Sequence, residues 1–363
     1  MRVTPLPEFQ AEALLPATDF ARIEALIRAE AGAHGLDLHE GHGRSIWCQI
    51  AMGEFGAKKR GENVLVFART HRAEDLQGLQ DLIVQHLAEI LPRQAQAMRW
   101  SSAADVGRMP PNFSLARVGS SRRIGRDFLR LRLHGEGLSR LATPDSMHFR
   151  LVLPAPGDNA PDWPRIGANG QTVWPSGAKA LHRPVYTVRA IDAGAGWLDT
   201  DIFLHPGGRV TDWVRSDPEG QQIGLSGPNG GGIPGAAHLV LAGDETAYPA
   251  MARIIESRPD ARGQLWLLGA TDDYPFPEAP GLIRRHLPEG MAALAPRLRA
   301  DPPPAEAFLW MAGEKGRIAA LRAELLDESD RHDASMGDEA RPARAASLGH
   351  DRRQSHLAAY WIG

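Results

Sequence analysis

The densest chemistry in this 363-residue sequence lies in Arg183-Pro-Val-Tyr-Thr-Val-Arg189, where a cation, an aromatic ring and a small hydroxyl follow one another. Arg183 offers a planar fork for a phosphate. Tyr186 offers a face for a flat heteroaromatic ring, and Thr187 a hydroxyl for a ring nitrogen. That set suits a flavin nucleotide. An ordinary strand with an exposed Arg and a half-buried Tyr has the same residues, so both readings stay open. A second candidate is the turn Leu-Ala-Gly-Asp-Glu-Thr-Ala-Tyr-Pro-Ala at 241–250. A dinucleotide cradle there would be glycine-rich, with bare amides at a helix N-terminus. Asp244 and Glu245 instead favour the helix dipole and repel a pyrophosphate, so capping by Asp244 is the plain alternative. Gly313 and Glu314 close the run Trp-Met-Ala-Gly-Glu, either as part of a site or as a tight turn before a helix. His34, His39 and His42 follow no helical or finger metal-ligand spacing and no cysteine completes one, so they read as a solvated loop and no metal is assigned. No Walker loop, nucleophile elbow or zincin helix is present.

These residues need elements to hold them. Asp19 or Thr18 can cap a helix through FARIEALIRAEA, ending at Gly32. Strands are expected at Arg44–Ala51 and Asn63–Thr70. In AEDLQGLQDLIVQHLAEIL, Leu76, Leu79, Ile83, Leu87 and Leu91 recur at helical spacing, and Pro92 marks the end. SSAADVGRMPPNFS reads as a linker. From Phe113 onward, RRIGRDFLRLRLHGE, SMHFRLVLP, RPVYTVRAID and LDTDIFLHPG alternate between Gly, Pro and Asp breaks, the pattern of an antiparallel barrel. A long Gly/Pro loop separates the second and third of these runs, and such loops are usually functional or mobile. After Gly235, AAHLVLAGD, QLWLLGAT and AFLWMAGE read as strands, with helices through ETAYPAMARIIES and RIAALRAELLDE. Strands alternating with helices imply a parallel sheet. RHDASMGDEARPARAASLGHDRR is polar, and the chain closes on AAYWIG. The expected organisation is an α+β unit at 1–104, an antiparallel barrel at 105–235 and an α/β parallel-sheet unit at 236–363.

Composition bounds the rest. Apolar residues make up 43% and charged residues 23%, ordinary for a folded chain, and a net charge of −3 gives no field for nucleic acid. Only Lys58, Lys59, Lys179 and Lys315 are lysines; every other cation is Arg. That bias fits a GC-rich genome, and Arg also suits phosphate and carboxylate ligands. The N-terminus lacks the pattern of a signal peptide, and one cysteine excludes an internal disulfide, so a cytoplasmic location is expected. No apolar run is long enough to span a membrane.

Taken in order, RPVYTVR, the Asp201-x-x-x-His205 pair, Trp213, Gly227-Pro228, LAGDETAYPA, WMAGE and the closing Tyr360-Trp361 resemble the siderophore-interacting proteins. These are FAD-containing ferric-siderophore reductases related to ferredoxin reductases. The resemblance covers Phe113 to Gly363; residues 1–104 resemble a domain of unknown function sometimes fused to the family. It implies FAD and NADPH or NADH as cofactors, electron transfer to ferric iron in a siderophore, and no catalytic acid or base. It assigns FAD to Arg183, Pro184, Tyr186, Thr187, Val188 and His205. Gly208, Val210 and Thr211 take the place of the family's pyrophosphate turn, with Arg209 replacing its proline. Asp244, Thr246, Ala247, Gly313, Glu314 and Trp361 would border the nicotinamide and flavin. His148, Arg150 and Lys179 would face the anionic chelate. The family often ends Tyr-Trp-Arg; here Ile362 stands in place of the Arg. A monomer is expected. Alternatives are a flavin or quinone reductase of the same fold, and a non-catalytic siderophore-binding or partner-recruiting module. Arg284 and Arg285 could read a nucleotide 2′-phosphate or line a solvated helix face.

Overall fold

A computed structural model of the chain describes residues 7–34, 36–50, 52–101, 106–325 and 355–361. The N-terminal unit is a five-stranded antiparallel sheet covered by two helices. Its elements are β1 (Phe9–Leu15), α1 (Phe20–His34), β2 (Asp37–Gly41), β3 (Ser45–Ile50), β4 (Gly53–Arg60), β5 (Asn63–Thr70), α2 (Ala73–Ile90) and the short α3 (Pro92–Ala97). The strand order is β1-β5-β4-β3-β2. The Asp19 carboxylate accepts the Ala21 amide at 3.1 Å and starts α1. That helix runs through Gly32 to His34, because the buried Ala31 and Ile27 keep its apolar face on the sheet. The stripe of Leu76, Leu79, Ile83 and Leu87 is buried, each side chain contributing about 1.5–3 kcal/mol. Pro92 both stops α2 and opens α3, since proline is tolerated in a first turn. Strands β1, β2 and β4 carry little sequence signal. β4 (GEFGAKKR) is polar and glycine-interrupted, and it is a strand because β3 and β5 pair with both its edges. His39 lies on β2, stacked on Trp47, and His42 in the following turn, so the histidine segment is not one loop.

The central unit comprises β6 (Phe113–Arg123), β7 (Phe128–Gly135), β8 (His148–Val152), the hairpin β9 (Arg165–Ile166) and β10 (Thr172–Val173), β11 (Val185–Thr187), β12 (Ala190–Asp192), β13 (Trp197–Phe203), α4 (Arg209–Arg215) and β14 (Gln222–Asn229). Seven of these strands form one antiparallel sheet, ordered β11-β8-β14-β6-β7-β13-β12. β11 and β12 occupy opposite edges, yet only Val188 and Arg189 separate them in the chain. The sheet must therefore curl until its edges meet. The Arg189 amide donates to the Asp199 carbonyl and the Thr200 hydroxyl to the Thr187 carbonyl, which closes the barrel. Phe149, Leu151, Leu131 and Leu225 fill the interior.

The C-terminal unit comprises β15 (His238–Gly243), α5 (Tyr248–Ser257), β16 (Arg262–Leu267), β17 (Leu282–His286), α6 (Leu294–Ala300), β18 (Phe308–Glu314), α7 (Lys315–Leu325) and β19 (Ser355–Trp361). The five strands are parallel, ordered β17-β16-β15-β18-β19. Leu239 and Leu241 of β15 face one apolar cluster, Val240 and Ala242 the other, so both faces are covered and the strand reads as a continuous apolar run. Arg284 and Arg285 lie on the edge strand β17 and not on a helix. Arg285 pairs with Asp301 at 2.7 Å and Arg284 donates to the Asp272 carbonyl. The polar segment around 331–353 and Ile362 lie outside the described residues. No helix among the described residues is long and apolar enough to cross a membrane.

Candidate functional site

In a parallel sheet the ligand crevice opens where strand order reverses, outside the carboxyl ends of the flanking strands. Here the chain builds β15, β16 and β17 to one side, then returns to add β18 on the other side of β15. The reversal lies between β15 and β18, whose ends carry Asp244 and Gly313-Glu314. The structure gathers the residues expected there. The Asp244 carboxylate accepts the Thr246 amide at 3.0 Å and its hydroxyl at 2.5 Å through one oxygen, and the Trp361 indole N–H at 2.9 Å through the other. A Cβ on Gly313 would lie 2.8 Å from that second oxygen, so glycine is required for the approach. Ala247 is buried beneath the turn. Glu314 accepts the Gly316 and Arg317 amides, both at 2.8 Å, and so caps α7. Glu245 reaches across to the amides of Ala270 and Thr271 at 2.6 and 3.3 Å.

β19 ties this crevice to the barrel. Tyr360 lies next to Trp361 and its hydroxyl meets His148 Nε2 at 2.6 Å. His148 is buried on β8; burial, with His356 and Arg253 nearby, lowers its pKa to about 3. It is neutral at physiological pH, so the charge of the His148-Phe-Arg150 run rests on Arg150. Burial raises the Tyr360 phenol well above its ordinary value. Arg253 of α5 donates to the Met147, Val188 and Thr143 carbonyls, stapling the parallel sheet to the barrel. Burial, then repulsion from Arg189, lowers its pKa to about 10.

The barrel side differs in its electrostatics. β8 and β11 pair antiparallel, with Arg150 opposite Val185, Phe149 opposite Tyr186 and His148 opposite Thr187. Thr187 and Val188 are buried, and Tyr186 is half-buried against the barrel core, where desolvation raises its pKa. The Pro184 carbonyl holds the Leu151 amide. Arg150 donates to the Arg183 carbonyl at 3.1 Å, which brings the two cations together. Burial lowers the Arg183 pKa and Arg150 lowers it further; Arg150 is lowered by burial. Among the described residues neither meets a carboxylate. Arg183 rests instead on the Trp174 indole, 4.2 Å from its centroid. Lys179 behaves differently: its ammonium is held by Asp158 at 2.8 Å and the Ala160 carbonyl at 2.7 Å, so it secures the Gly/Pro loop and is not a free cation.

Beyond β13 the chain turns through His205 to Gly208, and α4 starts there with no side chain capping its first turn. The Thr211 hydroxyl accepts the His205 amide at 3.2 Å; Val210 and Thr211 are buried. A Cβ on Gly208 would lie 2.7 Å from the exposed His205 ring, so the turn keeps bare backbone. It borders a cavity of about 740 Å³ lined by Leu153, Asp158, Gly207, Arg209 and Trp213. Arg209 lies close enough to His182 to lower its pKa, after burial. Uncapped amides at a helix start, a bare turn and two cations without counter-charges are the donor set a pyrophosphate requires. The barrel thus fits a dinucleotide such as FAD. Sequence reasoning missed Trp174 and Arg253, because cation–aromatic stacking and inter-unit staples leave no periodic trace.

Residues 117–232 match the model of the siderophore-interacting FAD-binding domain, and residues 236–338 that of the siderophore-interacting protein. The chain is 30% identical over 227 residues to the ferric vibriobactin reductase ViuB of Vibrio cholerae, spanning 56% of this chain and 80% of that protein. The siderophore-interacting protein SipS of Aeromonas hydrophila superposes with a TM-score of 0.52 at 24% identity, covering 71% of this chain and 100% of that one. A siderophore utilization protein from T. fusca gives 0.51 at 24% identity, covering 70% and 95%. Both structural likenesses bear on the fold, an antiparallel barrel followed by a parallel sheet. The chain therefore belongs to the siderophore-interacting protein family.

Proposed function

We propose that this protein is an NAD(P)H-dependent ferric-siderophore reductase that uses FAD. The observation that carries this reading is the Arg150–Arg183 pair, two neighbouring cations without a carboxylate among the described residues, in the same unit as the uncapped turn at Gly208. Arg183 is exposed and Arg150 half-buried; two such neighbouring cations repel each other, so the pair favours a bound anion. Arg183, Pro184, Tyr186, Thr187 and Val188, with His205, Gly208, Val210 and Thr211, would hold FAD. Asp244, Thr246, Ala247, Gly313, Glu314 and Trp361 would border the nicotinamide of NADH or NADPH. Arg150 would face the ferric chelate; His148 would act by anchoring Tyr360, and Lys179 by fixing the loop. Bound FAD supplies the conversion of a hydride donor's electron pair into single electrons for Fe(III).

The residues' own tasks are binding and exclusion. Arg183 neutralises phosphate charge, and Trp361 and Tyr360, pinned by Asp244 and His148, keep water from the crevice. Iron then leaves because Fe(II) is held less tightly than Fe(III) by hard oxygen ligands. We assign the three units to 1–104, 105–235 and 236–363, and put the protein in the cytoplasm as a monomer. Purified protein should be yellow, should bleach anaerobically with NADH or NADPH, and should recolour on adding a ferric siderophore while a ferrous-specific chelator develops colour. A colourless protein that takes up no added FAD would sink the proposal.

A further inference from the structure

Besides the bond from Arg72 to the Arg140 carbonyl, the N-terminal unit meets the barrel unit through a dense set of hydrogen bonds to the β9–β10 hairpin of the Gly/Pro loop. Asp81 of α2 accepts the Thr172 amide at 3.2 Å and its hydroxyl at 2.6 Å, while Gln77 donates to Asp81 at 3.0 Å and to the Gly170 carbonyl at 3.3 Å. From the hairpin, Gln171 donates back to the Ala95 and Met98 carbonyls at 3.0 and 3.2 Å, and the Trp100 amide donates to the Asn169 carbonyl at 3.0 Å. The chain leaving the unit continues the contact, with Ile166 and the 107–108 backbone exchanging two hydrogen bonds at 2.8 and 2.9 Å. Gln77 is buried in this contact. Such a density of directional bonds fixes a two-strand hairpin that has almost no apolar core of its own.

Trp174 stands directly after the hairpin, two residues beyond Thr172. Its indole lies edge-on to Phe113 at 6.1 Å and carries the Arg183 guanidinium at 4.2 Å. Asp81, Thr172, Trp174 and Arg183 thus form a continuous line from the N-terminal unit to the cation assigned to the FAD pyrophosphate. A loop of this length left free would be ordered only on binding, at a cost in affinity.

We propose that residues 1–104 act as a positioning module that holds the Trp174 shelf in place and so presets Arg183 for FAD; the inference rests on the proposed FAD reading. Asp81 is the positioning residue, acting through Thr172 and Trp174.

The test is calorimetric titration of the full-length apoprotein with FAD, alongside Trp fluorescence and thermal melting. Asp81→Ala should weaken FAD binding about five-fold, as loss of a charge-assisted contact pair implies. Asp81→Asn, which still accepts a hydrogen bond from Thr172, should recover most of the affinity. Thr172→Val, made on the hairpin side, should reproduce the loss if Asp81→Ala fails to fold. In an Arg183→Ala background Asp81→Ala should cost nothing further, because the two residues act in series. Unchanged affinity in both Asp81→Ala and Thr172→Val, or full additivity with Arg183→Ala, overturns the inference. If the parent protein binds no FAD, the functional reading itself fails, which is a separate result.

Discussion

The two halves of the site are built on opposite electrostatic plans. At the ends of β15 and β18 the carboxylates find partners within the chain: Asp244 is filled by Thr246 and Trp361, Glu314 by the start of α7, and Glu245 by the amides after β16. On the barrel, Arg150 donates to the Arg183 carbonyl and neither guanidinium meets a carboxylate among the described residues. In the proposed reading the first half works by shape, through Tyr360 and Trp361, and the second by charge. A satisfied polar group at a strand end thus goes with preorganisation, whereas a cation pair that no carboxylate answers among the described residues is, in the proposed reading, where an anionic ligand supplies the counter-charge.

Four experiments test this contrast. The largest effect belongs to Arg183→Ala, which should weaken FAD binding by about 2–3 kcal/mol, measured by calorimetry, because a charge-assisted phosphate contact is lost. Glu314→Gln on the satisfied side should leave FAD affinity within about two-fold, since that carboxylate accepts the first amides of α7 and brings no positive charge to a phosphate. Equal losses in the two variants would erase the contrast. Next, Gly313→Ala drives a methyl to 2.8 Å from both Asp244 and Met291, and should lower stability by about 1–3 kcal/mol in urea melts.

A smaller loss, about 1 kcal/mol, is expected for Tyr360→Phe, which removes the bond to His148. The smallest effect is on pH. The folded-state pKa of His148 is depressed, so its contribution is present above the unfolded value near 6.5 and declines as pH falls toward 3. Between pH 7 and pH 6 the loss should be roughly half to one kcal/mol, growing further below, and His148→Gln should flatten it. A melt profile equally steep in that variant would show that other groups carry the acid sensitivity.

The legible parts of the chain were those with a local period. The stripe of α2, the alternating barrel runs and the apolar strands β15, β16 and β18 were readable because burial of one or both faces repeats along the sequence. The edge strands β1, β2 and β17 and the polar β4 were not, since their strand character comes from neighbours and not from their own residues. Arg284 and Arg285 show the same limit, for alternation on an edge strand with Ile283 exposed looks like a helix face. At the site, the residue types were legible and their tasks only in part. His148, Arg150 and Lys179 were expected to face a chelate, with the charge on Arg150 and Lys179; burial leaves His148 neutral, and Asp158 holds the Lys179 ammonium.

The order of the units, the residue chemistry of RPVYTVR and the positions of the turns that end in Asp244 and Gly313 could all be read along the chain. Those depend on short-range periodicity, glycine and proline, all local properties. Which charges are answered was settled by the packed fold alone. Tyr360 reaches His148 across 212 positions and Trp361 reaches Asp244 across 117, while Arg183 meets an indole and no acid among the described residues. Pairing across such separations is fixed by how the barrel closes and how β19 lies along β18, which no local pattern encodes. Desolvation, which leaves His148 neutral, exists only once that packing is complete.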